Sequence, residues 1–560
     1  MDLKKLTRAP FHLDEAALNW VQRTFAGLST ESKIAQLMVV LCLDTSRENL
    51  ETMCELGVGG IFRMPTRPVD RLREEAEWVQ THSRLPMLMC GDLEFSEGTV
   101  IGGADGTAFP NQMAVAAARD PVWAERMALV AAREGRAAGF NWSFTPVVDI
   151  NANFRSTVVN TRSFGDNARR VMQSGRAYIA AMQREGMAAC AKHWPGDGFD
   201  DRDQHAVTSV NPCGMDAWEA TFGRIYRAMI RQGVLSVMSA HIALPAYPEA
   251  GYRPACISRK LNLELLRGRL KFNGVIISDA SVMAGLSSQG PRARIVPELI
   301  EHGCDIILFH NDVSRDMGLL SEALADGRLS PQRLDDAVLR VLGLKAALGL
   351  HRASGRRVRP LSAVRRQEHA RWARQCAEQG VTLVKDEQRL LPLSPEKHHR
   401  VLLVQPNRRA NSFGMLPDLR LGSLLRERGL EVTTLRPDVE VRREDFDLIV
   451  YAVAEEAYLL KSSLSLNWID LHGDVMRAMD RYWHEIPTVF VSFGSPYHLR
   501  EVPVCPTFIN AYSPVASVQE AVVRALLGQI PFGGRSPVIL NGASFNVLEA
   551  SPAVPFSNTP

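Results

Sequence analysis

No apolar run in this 560-residue chain reaches the roughly 18 residues that a membrane-spanning helix needs, so the sequence predicts no membrane contact. Residues 1–6 carry charges, and no apolar stretch precedes Pro10. Because a secretory signal requires such a stretch, we expect none here. The chain also has no internal repeat and no low-complexity tract, so we do not expect a repeat architecture.

An excess of one charge is missing as well. The chain has 65 basic and 62 acidic residues, a net charge of +3, and no long basic block, which argues against a nucleic acid or an anionic membrane as partner. Its nine cysteines include no Cys-x-x-Cys pair. An odd number of scattered cysteines in a long chain is typical of reduced, buried thiols in a cytoplasmic protein.

The length of the chain exceeds one ordinary hydrophobic core, so we expect more than one domain. Eight short apolar runs alternate with helical patterns in the first part of the chain. They cover residues 37–41, 59–62, 87–90, 143–148, 187–191, 235–239, 275–278 and 306–309. This alternation predicts a (β/α)8 barrel of the TIM type.

A smaller α/β sandwich is predicted after the barrel, because four further apolar runs alternate with helical segments there. These runs cover residues 401–404, 448–453, 488–492 and 508–511. The basic, proline-containing stretch 351–367 reads as a linker. The predicted organisation is therefore a barrel domain over 1–350, a linker over 351–367 and a second domain over 368–560.

Polar residues directly follow several of the predicted barrel strands. They are Asp92, Asp149, Lys192 with His193, His241 and Asp279. Catalytic groups of such barrels lie where the strands end at the C-terminal face. We therefore expect these side chains to meet around one site.

The most irregular of these segments covers residues 192–205 and reads KHWPGDGFDDRDQH. Its glycines and proline let the backbone turn sharply, which presents Asp203 and His205 together. An aspartate two residues before a histidine can hold one imidazole nitrogen and leave the other free for proton transfer.

This segment resembles, with identical spacing, the signature KHFPGHGxxxxDSH of the β-N-acetylglucosaminidase branch of family 3 glycoside hydrolases. The resemblance implies that Lys192 and His193 bind the sugar. It also implies that His205, oriented by Asp203 on a mobile loop, is the general acid/base. Three residues depart from the signature, namely Trp194, Asp197 and Gln204. We expect Asp197 to affect the choice of sugar more than the class of reaction.

The segment 272–279 reads FNGVIISD and resembles the family motif GFxGVVxSDD, in which the first aspartate is the nucleophile. Asp279 is then the nucleophile, and a carboxylate at a strand tip is aimed rigidly, as attack on an anomeric carbon requires. The alternative is a helix N-cap, since residues 280–282 could begin a helix. The accompanying dyad of Asp203 and His205 favours the nucleophile.

Three further residues are candidates for substrate binding. Asp92 lies in a strand end that resembles the family's DQEGGR, but residues 95–97 read FSE, and Val100 falls where the acetylglucosaminidases carry a sugar-contacting arginine. Arg162 resembles the arginine of the family's RSFG motif, and its alternative is an ion pair with Asp149. For His241, substrate contact and a buried bracing role stay equally open.

The resemblance implies a retaining exo-β-N-acetylglucosaminidase that forms a covalent glycosyl-aspartate intermediate and needs no cofactor or metal. Its implied substrate is a carbohydrate, from muropeptides or other cell-wall fragments recycled in the cytoplasm. Four alternatives remain: a metal site at His193 and His205, a β-glucosidase, a β-glycoside phosphorylase and a non-catalytic sugar-binding protein. The sequence does not indicate an oligomeric state.

Overall fold

The computed structural model describes residues 3–95, 101–406 and 418–540. The strands of its first part are β1 (Met38–Leu41), β2 (Gly60–Phe62), β3 (Leu88–Gly91), β4 (Trp142–Ser143), β5 (Cys190–Trp194), β6 (Ser209–Val210), β7 (Ser236–Ser239), β8 (Ile242–Ala243), β9 (Val275–Ala280) and β10 (Ile306–Leu308). Eight of them form one parallel sheet in the order β4-β3-β2-β1-β10-β9-β7-β5, and β6 pairs with β8. Parallel bridges from Trp142 to Ala188 and from Val147 to Lys192 close this sheet into a barrel.

All eight barrel strands predicted from the sequence are present, because buried parallel strands are apolar along their whole length. The prediction was wrong in detail at two strands. The fourth strand was predicted over 143–148 but ends at Ser143, where Pro146, which cannot donate a ladder hydrogen bond, follows closely. The fifth strand runs to Trp194, so Lys192 and His193 lie within it.

Helices alternate with the strands and surround the barrel. The α-helices are Glu15–Ala26, Thr30–Ala35, Arg47–Leu56, Val69–His82, Gln112–Ala117, Val122–Ala137, Ala168–Arg184, Met215–Trp218, Arg224–Arg231, Ala284–Ser287, Arg292–Glu301, Val313–Ala325, Pro331–Ala347 and Ala353–Arg356. Two π-helical segments, Glu219–Gly223 and Lys260–Arg269, occur among them. One continuous apolar core joins the barrel interior to these helices. Within the described ranges, no helix is long and apolar enough to cross a membrane.

The second sheet has six strands. They are β11 (Thr382–Asp386), β12 (Arg400–Val404), β13 (Glu431–Thr434), β14 (Leu448–Val453), β15 (Thr488–Ser492) and β16 (Thr507–Asn510), in the order β11-β16-β15-β14-β12-β13. Only β11 is antiparallel to its neighbour. Its α-helices are Arg366–Gly380, Leu421–Arg426, Trp468–His472 and Ala516–Leu526. Apolar clusters cover both faces of the sheet, which confirms the predicted α/β sandwich.

The edge strands β11 and β13 were not predicted, since each contains several polar residues, as exposed edge strands do. The four predicted strands are the central ones, which are buried on both faces. The domain boundaries predicted at residues 350 and 368 stay a prediction.

A buried ion cluster fixes the ends of the last two barrel strands. The carboxylate of Asp305, which is fully buried, accepts hydrogen bonds from the backbone of Ile276 at 2.9 Å and from Arg267 at 2.5 Å. It also pairs with Arg333, which comes from the helix Pro331–Ala347. Asp305 therefore pairs with two cations that have little access to water, of which Arg333 also pairs with Asp336, and it ties β9 to the helix that follows the barrel.

We expect Asp305→Ala to lower the free energy of unfolding by about 3–5 kcal/mol, because removing one partner leaves buried charge uncompensated. The matched control is Asp335→Ala, which breaks a half-buried ion pair with Lys33 at the protein surface and should cost only about 1 kcal/mol. Urea denaturation of both variants measures the difference. Equal losses would contradict a structural role for the cluster.

Candidate active site

A cavity of about 380 Å³ lies at the C-terminal ends of the barrel strands. The acidic and basic side chains that line it, histidines included, are Asp92, Glu94, Arg162, Lys192, His193, His205 and Asp279. Six of these seven are predicted site residues, and Glu94 is not. A larger cavity of about 490 Å³ lies between the two domains, and the described residues that line it include no histidine and no buried carboxylate. The barrel cavity is therefore the candidate active site.

Glu94 holds the two cations of the cavity in place. Its carboxylate accepts two hydrogen bonds from the Arg162 guanidinium, at 2.7 and 2.9 Å, and pairs with Lys192 Nζ at 2.6 Å. Burial opposes ionisation, but Arg162 and Lys192 together hold the pKa of Glu94 well below its usual range. Lys192 also donates to Asp92 at 2.8 Å. These groups form a rigid set of charged donors and acceptors suited to sugar hydroxyls.

The ring of His193 is oriented by Asp149. Nδ1 of His193 lies 2.6 Å from one Asp149 oxygen, and the other oxygen accepts the backbone N–H groups of His193 and Asp197 at 3.0 and 2.9 Å. Asp149 therefore fixes the histidine so that Nε2 is the nitrogen left for a ligand. The sequence left an ion pair with Asp149 as the alternative to substrate binding by Arg162. In the structure, Arg162 instead forms a bidentate ion pair with Glu94.

Asp279 lies at the end of β9 and is 8% exposed. One oxygen accepts the N–H of Ala280 at 2.8 Å, and the strand continues through Ala280, while the next helix begins only at Ala284. The N-cap alternative is therefore wrong. Burial opposes ionisation, but the neighbouring rings of His241, His193 and His205 keep the pKa of Asp279 below its ordinary value. The carboxylate is thus ionised at neutral pH, the state that a nucleophile needs.

The dyad of Asp203 and His205 lines the same cavity as Asp279 through its histidine. Nδ1 of His205 lies 2.6 Å from Asp203 Oδ1, which also accepts the His205 backbone N–H at 2.8 Å. Burial opposes ionisation of Asp203, but the hydrogen bonds from His205 keep its pKa below the usual value. The dyad can therefore hold one imidazole nitrogen while the other faces a substrate.

The second domain reaches the dyad directly. The backbone N–H of Leu460 donates to Asp203 Oδ2 at 2.6 Å, and the preceding residues Ala457, Tyr458 and Leu459 line the cavity. The backbone N–H groups of Ala457 and Tyr458 bond to Thr161 and Thr157 of the barrel, each at 3.0 Å. Sequence reasoning missed this segment because it carries no motif and lies in the other domain.

His241 is fully buried and does not line the cavity. Its Nδ1 lies 3.2 Å from the Cys256 sulfur and its Nε2 2.9 Å from the carbonyl oxygen of Ala280. Burial lowers the pKa of this histidine, so it is a neutral donor to the strand that carries Asp279. Its position fits the bracing role and leaves no nitrogen for a sugar.

The residues that depart from the family signature point away from the cavity. Trp194 is buried against Trp218 and Tyr226, with ring centroids 5.6 and 4.8 Å away. The Asp197 carboxyl is buried, and its pKa is raised well above the usual value by burial and by the nearby charge of Asp149. Gln204 accepts the backbone N–H of His241 at 3.1 Å. Residues 96, 97 and 100, where the rim also departs, lie outside the described residues.

The barrel carries carboxylates and histidines at the C-terminal ends of its strands, and the α/β sandwich completes the cavity that they line. This arrangement is that of a two-domain enzyme that acts on carbohydrates. The family model described as "Glycosyl hydrolase family 3 N terminal domain" matches residues 29–344. The chain belongs to glycoside hydrolase family 3, and it is a glycoside hydrolase. Among residues 3–95, 101–406 and 418–540, no three His, Cys, Asp or Glu side chains are grouped as metal ligands.

The curated relatives that this chain resembles are named for glycosidase activities on more than one sugar. A β-N-acetylglucosaminidase/β-glucosidase of Cellulomonas fimi is 37% identical over 561 residues, covering 95% of this chain and 98% of that protein. A β-hexosaminidase of Neisseria gonorrhoeae (strain NCCP11945) is 36% identical over 215 residues. That match covers 38% of this chain and spans only 56% of the relative.

Two solved structures share the two-domain fold. The β-glucoside phosphorylase BglX, solved bound to 2FGlc, has a TM-score of 0.89 at 33% identity and covers 96% of this chain and 99% of its own. A family 3 β-N-acetylglucosaminidase from Paenibacillus sp. str. FPU-7 has a TM-score of 0.80 at 25% identity and covers 92% and 99%.

We expect loss of the Leu460 N–H to weaken the dyad. In Leu460→Pro the hydrogen bond to Asp203 is absent, and the segment is also displaced, because proline holds φ near about −65° whereas Leu460 has a φ of +59°. Since bonds to charged groups contribute about 1.5–3 kcal/mol, kcat/KM should fall by roughly tenfold or more. Leu460→Gly is the matched control, because it keeps the N–H and suits the φ of +59° found there. Steady-state kinetics on an alkyl β-glycoside compares the two. Equal rates in both variants would contradict this role.

Proposed function

We propose that the protein is a retaining, exo-acting β-N-acetylglucosaminidase. The observation that supports this most is that Asp279 and the His205 of the dyad line one cavity, which also holds fixed charged groups for a single sugar. A retaining glycosidase requires a nucleophile and an acid/base on either side of the glycosidic bond. The name of the Cellulomonas fimi relative includes this activity.

The reaction proceeds in two steps. In the first, the carboxylate of Asp279 forms a bond to the anomeric carbon while protonated His205 gives its Nε2 proton to the leaving oxygen, so the glycosidic bond breaks. In the second, neutral His205 takes a proton from water, and the resulting hydroxide attacks the anomeric carbon and releases Asp279. Asp203 keeps the second imidazole proton on Nδ1 throughout, which fixes the orientation of the ring.

The sugar is held by the charged side of the cavity. Asp92 is the most exposed of these groups, and the largely buried side chains of Arg162, His193 and Lys192 stand beside it. Because Glu94 and Asp149 already fix three of these side chains, little side-chain entropy is lost on binding. His241 has no part in sugar contact in this proposal.

A second candidate is a β-glucoside phosphorylase, and a specific observation favours it. BglX, which carries that activity in its name, matches this chain with a TM-score of 0.89. An acid/base that becomes a neutral imidazole after the first step does not repel an incoming phosphate, whereas a carboxylate would. Phosphate would then take the place of water in the second step.

The physiological role is a separate proposal. The family resemblance predicts the recycling of cell-wall muropeptides in the cytoplasm, with a carbohydrate as the partner. The sugar that the site accepts and the aglycone that it accepts are separate questions, so each needs its own test.

The roles of the two catalytic candidates lead to different losses. We expect Asp279→Ala to lose at least about 10⁴-fold in kcat on every β-N-acetylglucosaminide, because no covalent intermediate can form. His205→Ala should lose roughly 10²- to 10⁴-fold in kcat/KM on alkyl glycosides and much less on 4-nitrophenyl glycosides, because kcat/KM reports the first step and the nitrophenyl leaving group needs no proton. Initial rates on both substrate types measure this.

Asp201→Asn is the matched control, since this exposed aspartate shares the loop of the dyad and does not line the cavity. It should keep nearly full activity. Full turnover by Asp279→Ala or His205→Ala would overturn the assignment.

The acceptor and the sugar are tested together. We expect the wild type to turn over 4-nitrophenyl N-acetyl-β-glucosaminide faster than the glucoside, and to release free N-acetylglucosamine whether or not phosphate is present. Product analysis by chromatography separates free sugar from sugar 1-phosphate. Formation of the 1-phosphate only when phosphate is added would favour the second candidate instead.

A further inference from the structure

The cavity has two chemically different sides. Its charged side chains come from the ends of β3 and β5, from β9 and from the loop that contains Arg162. The ends of β2, β1 and β10, which are neighbours in the sheet, contribute only apolar side chains, among them Leu43, Phe62 and Phe309. The rings of Phe62 and Phe309 pack edge to face at 5.1 Å, so this side is a preformed apolar wall.

Apolar side chains also flank the imidazole that protonates the leaving oxygen. The backbone carbonyl of His205 accepts the N–H of Ala284 at 3.0 Å, which places the lining residues Val282 and Met283 beside the dyad. On another side, Leu459 precedes the residue whose N–H bonds to Asp203. The leaving group must lie next to His205 and is therefore surrounded by these side chains.

Among the described residues that line the cavity, no permanent cation is left unpaired for an anionic leaving group. Among the lining residues that the structure describes, the permanent cations are Arg162 and Lys192, and Glu94 and Asp92 pair with them. Asp279 adds a further negative charge. A carboxylate on the aglycone would thus be desolvated without a partner, at a cost in free energy.

From these contacts we infer that the aglycone site, built from Leu43, Phe309, Val282, Met283 and Leu459, selects an uncharged apolar aglycone, an alkyl or aryl group, over an anionic cell-wall peptide. The sugar hydroxyls bind on the charged side, and the aglycone extends along the apolar wall. This inference rests on the proposed function for the placement of the bond that is cleaved. It narrows the aglycone of the proposed activity and departs from the muropeptide role that the family resemblance predicts.

The test uses alkyl β-N-acetylglucosaminides that share the sugar and differ in the aglycone: methyl, hexyl and 5-carboxypentyl. Each buried CH₂ should raise kcat/KM by roughly three- to fourfold, so hexyl should exceed methyl by at least about tenfold. Hexyl should exceed 5-carboxypentyl by at least about tenfold as well. The remote carboxylate hardly changes the leaving-group pKa, so the second comparison isolates the wall.

Leu43→Lys adds a cation to the wall at a residue that is 57% exposed and tolerates a charge. It should raise kcat/KM for 5-carboxypentyl at least about threefold relative to hexyl. Val504→Lys is the matched control, with the same charge change at a residue 59% exposed that does not line the cavity. It should leave the ratio unchanged.

Equal kcat/KM for methyl, hexyl and 5-carboxypentyl glycosides would overturn the inference while leaving the proposed function intact. If no β-glycoside is turned over, the proposed function fails. In that case calorimetric binding of the hexyl and 5-carboxypentyl glycosides still decides the inference, since tighter hexyl binding supports it and equal binding contradicts it.

Discussion

Because the parallel sheet closes into a barrel, the C-terminal ends of its eight strands all lie at the same end of the barrel. Several carboxylates therefore lie in one small cavity. Buried carboxylates are tolerated only with partners. Glu94 pairs with Arg162 and Lys192, Asp149 with His193, and Asp203 with His205. Within the part of the chain that the structure describes, Asp279 accepts only the hydrogen bond from Ala280. Its second oxygen is therefore the one available for bond formation.

The fold was predictable because the physics that forms it is local. Central parallel strands are continuous apolar runs, and each of the twelve such runs identified in the sequence became a strand. The edge strands Thr382–Asp386 and Glu431–Thr434 were missed because half-exposed strands need no such run. The fourth barrel strand was drawn too long because the apolar residues after Ser143 remain buried without pairing as a ladder.

Only those site residues that belong to a recognisable sequence motif could be predicted. Asp279 and His205 could be assigned because each belongs to a recognisable segment, and they do line one cavity. The pairing role of Glu94 depends on distances among three loops, which no single segment encodes. The contact of Leu460 with Asp203 joins two domains through a backbone N–H, so the identity of residue 460 carries no signal of it.

That contact changes how the dyad loop must work. The resemblance implied a mobile loop, yet Asp203 is bonded to Leu460 of the second domain, and the His205 carbonyl to Ala284 of the barrel. A movement of the dyad therefore has to break these hydrogen bonds or carry the segment 457–460 with it. Residues 457–459 of this segment line the cavity. In the proposed reaction, release of the aglycone and repositioning of the acid/base would therefore be coupled through this one segment of the second domain.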